Sequence, residues 1–261
     1  MSLAAVNAFQ RQLNLFYLAL SFFTRIPVPK SMHYSASLLN QANRYFSLVG
    51  LLLGLFTALS FLFFYSFLPI SLSILIVMSI SLLLTGAFHE DGLADMADGI
   101  GGAFDVDKRL QIMKDSRIGT YGAVTLLMAL LIKFTSLVEI ANHNLEQLVL
   151  AIILAASLSR AVAGSLISSM PYVTDSEHSK SKPLAQQQSP SELIILVLIG
   201  AVPLVFYSSA TICNIVLALL VFRWLFKKWL MNKINGFTGD CLGAAQQIAE
   251  LLIYIILLAS F

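Results

Sequence analysis

Apolar residues run through this chain in long blocks separated by short polar clusters. Seven blocks, at roughly 46–67, 70–88, 120–139, 147–170, 192–210, 212–230 and 243–261, are long enough to cross a bilayer, for which about 17 to 25 helical residues are needed. Pro69, Asn142, Asn144, Pro190 and Asn214 mark turns between or before them. Residues 12–24 (QLNLFYLALSFFT) are apolar but too short to span, and predict an interfacial or re-entrant helix. Residues 171–191 are Ser/Gln-rich and bracketed by prolines, which predicts a loop. No repeat of 20–50 residues is visible. The pattern predicts an all-α, polytopic integral membrane helical bundle. It has about seven transmembrane helices plus the short N-terminal helix, in a single domain over 1–261.

Composition sharpens this picture. Hydrophobic residues make up 58% of the chain and charged residues only 11%, against about 25% charged in soluble domains. The N-terminus has no compact apolar core followed by a small-residue cleavage site, so no secretory signal is expected. Cys213 and Cys241 have neither disulfide nor metal spacing and are expected to be free thiols. No basic, aromatic-interleaved surface points to nucleic acid.

The placement of charge predicts orientation. Arg11, Arg25, Lys30 and Arg44 precede the first long block. Lys108, Arg109, Lys114 and Arg117 lie between the second and third, and Lys180 and Lys182 between the fourth and fifth. Arg223, Lys227, Lys228 and Lys233 lie around the end of the sixth. The intervening connections at 68–69, 140–146 and 211 carry no Lys or Arg. The positive-inside rule puts the cationic side, and with it the N-terminus, in the cytoplasm.

Three segments carry candidate chemistry. Seven of the fourteen acidic residues fall between Glu90 and Asp115, most densely in FHEDGLADMADG (88–99). Asp91, Asp95 and Asp98 are spaced i, i+4, i+7, within about 60° on one helical face. Carboxylates so placed repel one another, and a divalent cation turns that repulsion into binding. In MKDSRIGTYG (113–122), Lys114 and Arg117 could neutralise phosphate oxygens and Asp115 could complete a metal site. The same cations would also serve as a plain positive-inside anchor. In GFTGDCLGA (236–244), Asp240 could be a helix N-cap, a metal ligand or a base. Lys133 and Arg160 lie at membrane depth and could bind phosphate or balance the acids, and Lys133 could instead snorkel. Glu250, an acid in the last block, has no evident partner. P-loop, Rossmann, HExxH and Gly-x-Ser-x-Gly motifs are absent from the sequence.

These three motifs, in this order, closely resemble those of the cobalamin synthase family, the adenosylcobinamide-GDP ribazoletransferases. TRIPVP (24–29), Gly50 and Gly54, Lys133 and Ser159-Arg160 also fall where that family has similar residues. The resemblance implies a Mg²⁺-dependent enzyme of the bacterial inner membrane. Such an enzyme joins α-ribazole, or its 5'-phosphate, to adenosylcobinamide-GDP and releases GMP, forming adenosylcobalamin or its 5'-phosphate. On that basis the catalytic segment is expected at about 88–122, on the cytoplasmic side. Asp91, Asp95, Asp98 and Asp115 are expected at the metal, with Asp240 as an alternative further ligand. Arg25, Lys114, Ser116, Arg117, Lys133, Arg160, Thr238 and Asp240 are expected around substrate phosphates. His89 or a metal-free aspartate is the expected base. The aspartate pattern is also similar to CDP-alcohol phosphotransferases, although Leu-Ala-Asp follows Asp91-Gly92 where they have an arginine. A cation or corrinoid transporter is the third expectation. The sequence sets no oligomeric state.

Overall fold

A computed structural model describes residues 8–173 and 186–260. The described residues form an all-α bundle, and each of the seven apolar blocks becomes helix. In chain order the helices are α1 (Ala8–Phe23), α2 (Ala36–Ala42), α3 (Phe46–Tyr65), α4 (Ile70–Thr85), α5 (Phe88–Gly102), α6 (Val106–Met113), α7 (Thr120–His143), α8 (Leu145–Ser165), α9 (Pro190–Ala201), α10 (Ser209–Ile234) and α11 (Gly239–Leu258). Most of the 171–191 segment, with Lys180 and Lys182, lies outside the described residues.

Five helices are long and apolar enough to cross a membrane: the α2–α3 stretch, α7, α8 with its last turn, α10 and α11. A sixth span is reached only if α4 and α5 count as one, and they are bent by 84°. The 192–210 block forms α9 and a 3₁₀ turn ending at Phe206, shorter than a full span. The protein is therefore a multi-pass membrane bundle with fewer full-length spans than the seven blocks. The break before α10 falls at Tyr207–Ser208, where Ser208 caps the helix, and Asn214 lies inside α10. The apolar segment near the N-terminus forms α1, which buries Leu15, Leu18, Ala19 and Phe23 against the bundle. Both cysteines are free thiols.

α8 is enclosed by its neighbours, while α7 and α10 turn most of their surface outward. Leu217, Leu220, Val221 and Leu225 on α10 are exposed, which is no penalty where the solvent is lipid. α3 lies along α8 through small residues. A Cβ on Gly50 would strike the Ala156 carbonyl oxygen, and one on Gly54 would lie 2.9 Å from Ile153 Cα. α5 packs against the N-terminal halves of α7 and α11, and α6 packs against α5.

Candidate active site

The site begins at the break between α4 and α5. Gly86 and Ala87 both take left-handed conformations, with φ of 66° and 55°. Two such residues in succession end α4 and turn the chain, and glycine accepts this without steric cost. The missing Cβ of Gly86 is filled by the Arg25 guanidinium. Arg25 N–H also donates to the Leu84 carbonyl at 2.7 Å. Arg25 is thus held over the bend and remains exposed. Because α5 turns by 84° from α4, we read it as a separate helix that does not continue that span.

Along α5 the aspartate stripe grades from solvent to interior: Asp91 is exposed, Asp95 half-buried and Asp98 buried. Asp98 faces the start of α7. Gly119 N–H donates to its Oδ2 at 2.6 Å and Gly122 N–H to its Oδ1 at 2.8 Å. These are orphan donors at a helix N-terminus, where a carboxylate is favoured by hydrogen bonding and by the helix dipole. Asp98 therefore has a structural role at the start of α7, with one backbone N–H on each oxygen.

Asp240 arrives from α11. Thr238, not Asp240, is the N-cap, accepting from Cys241 N–H at 3.3 Å. Thr238 Oγ1 also donates to Asp240 Oδ2 at 3.3 Å. Gly92 allows the close approach of α5 and α11: a Cβ there would lie 3.0 Å from both Asp240 Cα and its carbonyl oxygen. Asp91, Asp95 and Asp240 therefore meet at one helix crossing. Burial, and then Asp91, Asp240 and Asp98, push Asp95 up from 3.8 to about 7. Among the described residues no group of three or more His, Cys, Asp or Glu side chains is close enough to hold a metal on its own. Mg²⁺ commonly takes only one or two carboxylates and completes its shell with water and phosphate. Hard oxygen donors on Asp91, Asp95 and Asp240 fit a shared site of that kind.

The raised Asp95 pKa predicts a pH effect. Between about 4 and about 7 the folded metal-free protein holds a proton that the unfolded chain has released. Its stability should therefore fall as pH rises through this window and level off above it. Asp95→Asn should reduce that slope in thermal unfolding with chelator present, leaving a part below about pH 6 from Asp240, which burial pushes up to about 6. An equal slope in the variant would assign the effect to another group.

The loop between α6 and α7 presents Lys114, Ser116 and Arg117 to solvent. Asp115 is engaged within that loop: Arg117 Nη2 lies 2.6 Å from its Oδ2, and Arg117 Nε 3.0 Å from its Oδ1. Hydrogen bonds from Arg117 hold the Asp115 carboxyl at about 2. Asp115 thus has a partner other than a metal. Arg109 anchors α6 by donating to the Ala103 carbonyl at 2.9 Å and the Lys233 carbonyl at 2.6 Å.

Three expected site residues lie inside the bundle instead. His89 is buried beside the stacked Phe23 and Phe46 rings, its own ring near-parallel to both at 6.0 and 5.6 Å. Lys133 pairs with Glu250 at 2.7 Å. Buried Arg160 donates to the Ala156 carbonyl at 2.6 Å and lies over the Phe46 ring. His89, Lys133 and Arg160, expected as base and phosphate ligands, line one internal cavity, apart from the crossing of Asp91, Asp95 and Asp240. Sequence reasoning passed over Glu90, Gln246 and Gln247, which link to one another and to Glu250 in the same interior. Two adjacent glutamines and an acid within five residues of an apolar helix were the available signal.

Comparison with known proteins places this arrangement in a family. The profile of the cobalamin-5-phosphate synthase family matches residues 15–258. A Vibrio vulnificus (strain YJ016) protein named adenosylcobinamide-GDP ribazoletransferase is 54% identical over 254 residues, covering 97% of this chain and 99% of its own. A protein of the same name from Vibrio parahaemolyticus is 55% identical over 250 residues, covering 96% and 94%. One from Shewanella pealeana is 49% identical over 253 residues, covering 97% and 98%. No solved structure matches the chain. With a match across nearly its whole length, the chain belongs to the cobalamin-5-phosphate synthase family.

Proposed function

We propose that this protein is an adenosylcobinamide-GDP ribazoletransferase. It joins α-ribazole, or its 5'-phosphate, to adenosylcobinamide-GDP and releases GMP. In this reading a ribose hydroxyl oxygen forms a bond to the phosphorus that carries the cobinamide. The bond from that phosphorus to the GMP oxygen breaks, and the hydroxyl proton passes to a base. The observation that carries the reading is the meeting of Asp91, Asp95 and Asp240 at the α5–α11 crossing in a chain of this family, on a helix that Asp98 ties to the end of the exposed Lys114–Arg117 loop.

Asp91 and Asp95, with Asp240, would hold Mg²⁺, which when bound supplies charge neutralisation for the diphosphate and the leaving phosphate. Lys114, Arg117 and Arg25 would hold phosphate oxygens, Arg117 by exchanging its Asp115 partner for substrate. Ser116 would add a hydroxyl donor, and Thr238, whose hydroxyl donates to Asp240, would orient that carboxylate. The proton would go to a carboxylate of the acidic face that is not coordinating. The membrane would be the bacterial inner membrane, with the N-terminus and the 88–122 segment on the cytoplasmic side. The described cations of these segments are what supports that orientation.

Purified protein in nanodiscs, given adenosylcobinamide-GDP, α-ribazole and Mg²⁺, should release one GMP per corrinoid product. No GMP under conditions where the Vibrio vulnificus relative turns over would refute the proposal. CMP release from CDP-alcohols would replace it with the lipid-synthase reading.

A further inference from the structure

The interior of the bundle holds a polar network that the proposed chemistry does not use. Glu250 on α11 pairs with Lys133 of α7 through Oε1 at 2.7 Å, and Tyr254 donates to the same oxygen at 3.0 Å. Gln246 Nε2 donates to Glu250 Oε2 and to Ser159 Oγ of α8, both at 2.9 Å. Gln247 Nε2 donates to Gln246 Oε1 at 2.8 Å and to Glu90 Oε1 of α5 at 2.9 Å. The chain of contacts thus runs from α7 through α11 and ends on α5, at the residue next to Asp91. A cavity of ≈ 40 Å³ adjoins it. His89 Nε2, Glu90 Oε2 and Arg160 Nε, on residues that line this cavity, have no hydrogen-bond partner among the described residues. The space suffices for a small water cluster bridging them.

The contact between α5 and α11 explains why such a network matters. It is lined by glycine on both sides. A Cβ on Gly92 would meet Asp240, and one on Gly243 would lie 3.1 Å from the His89 carbonyl oxygen. Glycines bring two helix backbones together but supply no side chain to lock their register. Directional bonds can do that, and among the described residues Gln247 to Glu90 is the side-chain hydrogen bond that crosses from α11 to α5.

We infer that Gln247 and Glu90 form a positioning clamp, backed by Gln246, Glu250 and Lys133, that sets α5 against α11 and so fixes Asp91 and Asp95 opposite Asp240. The clamp acts from within the bundle on groups at the α5–α11 crossing and touches no substrate. The inference rests on the proposed metal role of Asp91 and Asp95.

Mn²⁺ binding to the full-length protein in nanodiscs, followed by electron paramagnetic resonance, tests it without turnover. Gln247→Met keeps the volume and removes the donors. It should weaken Mn²⁺ about tenfold or more, the effect expected when an outer support of a ligand is lost. Gln247→Asn, which withdraws the amide by one methylene, should weaken it less. Glu90→Gln retains an acceptor for Gln247 and should bind like the unaltered protein. A purely structural role would lower the thermal midpoint of Gln247→Met with Mn²⁺ affinity unchanged, and that result overturns the clamp. Should Gln247→Met fail to fold, Gln247→Asn decides in the same way. Asp91→Asn separates the two ideas. If it loses Mn²⁺ while the Gln247 variants do not, only the clamp falls. If it binds Mn²⁺ normally, the metal site is misplaced and the clamp falls with it.

Discussion

Asp91→Asn should lower turnover by about three orders of magnitude, equivalent to about 4 kcal/mol of transition-state stabilisation. Asp91 is the exposed member of the stripe, and among the described residues its side chain makes no hydrogen bond or ion pair. Its removal therefore costs the fold little, and the loss belongs to chemistry. Asparagine keeps the shape and one oxygen but lacks the charge that a hard cation selects. Asp95→Asn should lose turnover to a similar degree for the same reason. It should also make the chelated protein no less stable, since burial and then neighbouring like charges push Asp95 up to about 7. The measurement is GMP release at saturating substrates across a Mg²⁺ titration, alongside thermal unfolding with chelator. Near-normal rates in either variant would remove that residue from the metal.

Much of the architecture was legible because membrane helices announce themselves by length and apolarity alone. What length could not show was direction. The 70–88 block reads as one span running into the acidic motif, yet Gly86 and Ala87 turn the chain there by 84°. Nothing in the apolar count records two left-handed residues. The aspartate stripe was legible as periodicity, since the three carboxylates do share a helix. Periodicity is blind to what packs against each member. The pairing of Asp98 with Gly119 and Gly122 depends on α7 docking across α5, a contact more than twenty residues away in sequence. Lys133 and Glu250 were both conspicuous as charges in apolar helices, but their pairing joins residues over a hundred apart. Asp240 was misread as a possible cap because Thr and Asp are both good caps and only the backbone decides between them.

Asp98 is where a metal ligand and a structural carboxylate make opposite predictions. A metal ligand contributes little to the chelated protein, and its loss can even relieve repulsion. A buried cap contributes whether or not metal is present. Asp98→Ala leaves the Gly122 N–H, and the partly buried Gly119 N–H, without an acceptor. Two charge-assisted hydrogen bonds lost from an enclosed site are worth about 3 kcal/mol or more, or roughly a 10 °C fall in the thermal midpoint for a chain of this size. Asp98→Asn offers one carbonyl oxygen to two donors and turns its own N–H groups on the other, so it should recover only part of that loss. Both variants should show the fall with chelator present. The 114–119 loop would also lose its tether at Gly119, so KM for adenosylcobinamide-GDP should rise in Asp98→Asn more steeply than kcat falls. A chelated midpoint equal to that of the unaltered protein, together with lost Mn²⁺ binding, would return Asp98 to the metal. The geometry favours the cap: the carboxylate is buried against Gly119 and Gly122, where a Cβ on either would strike its oxygens, and each oxygen accepts one of their N–H groups.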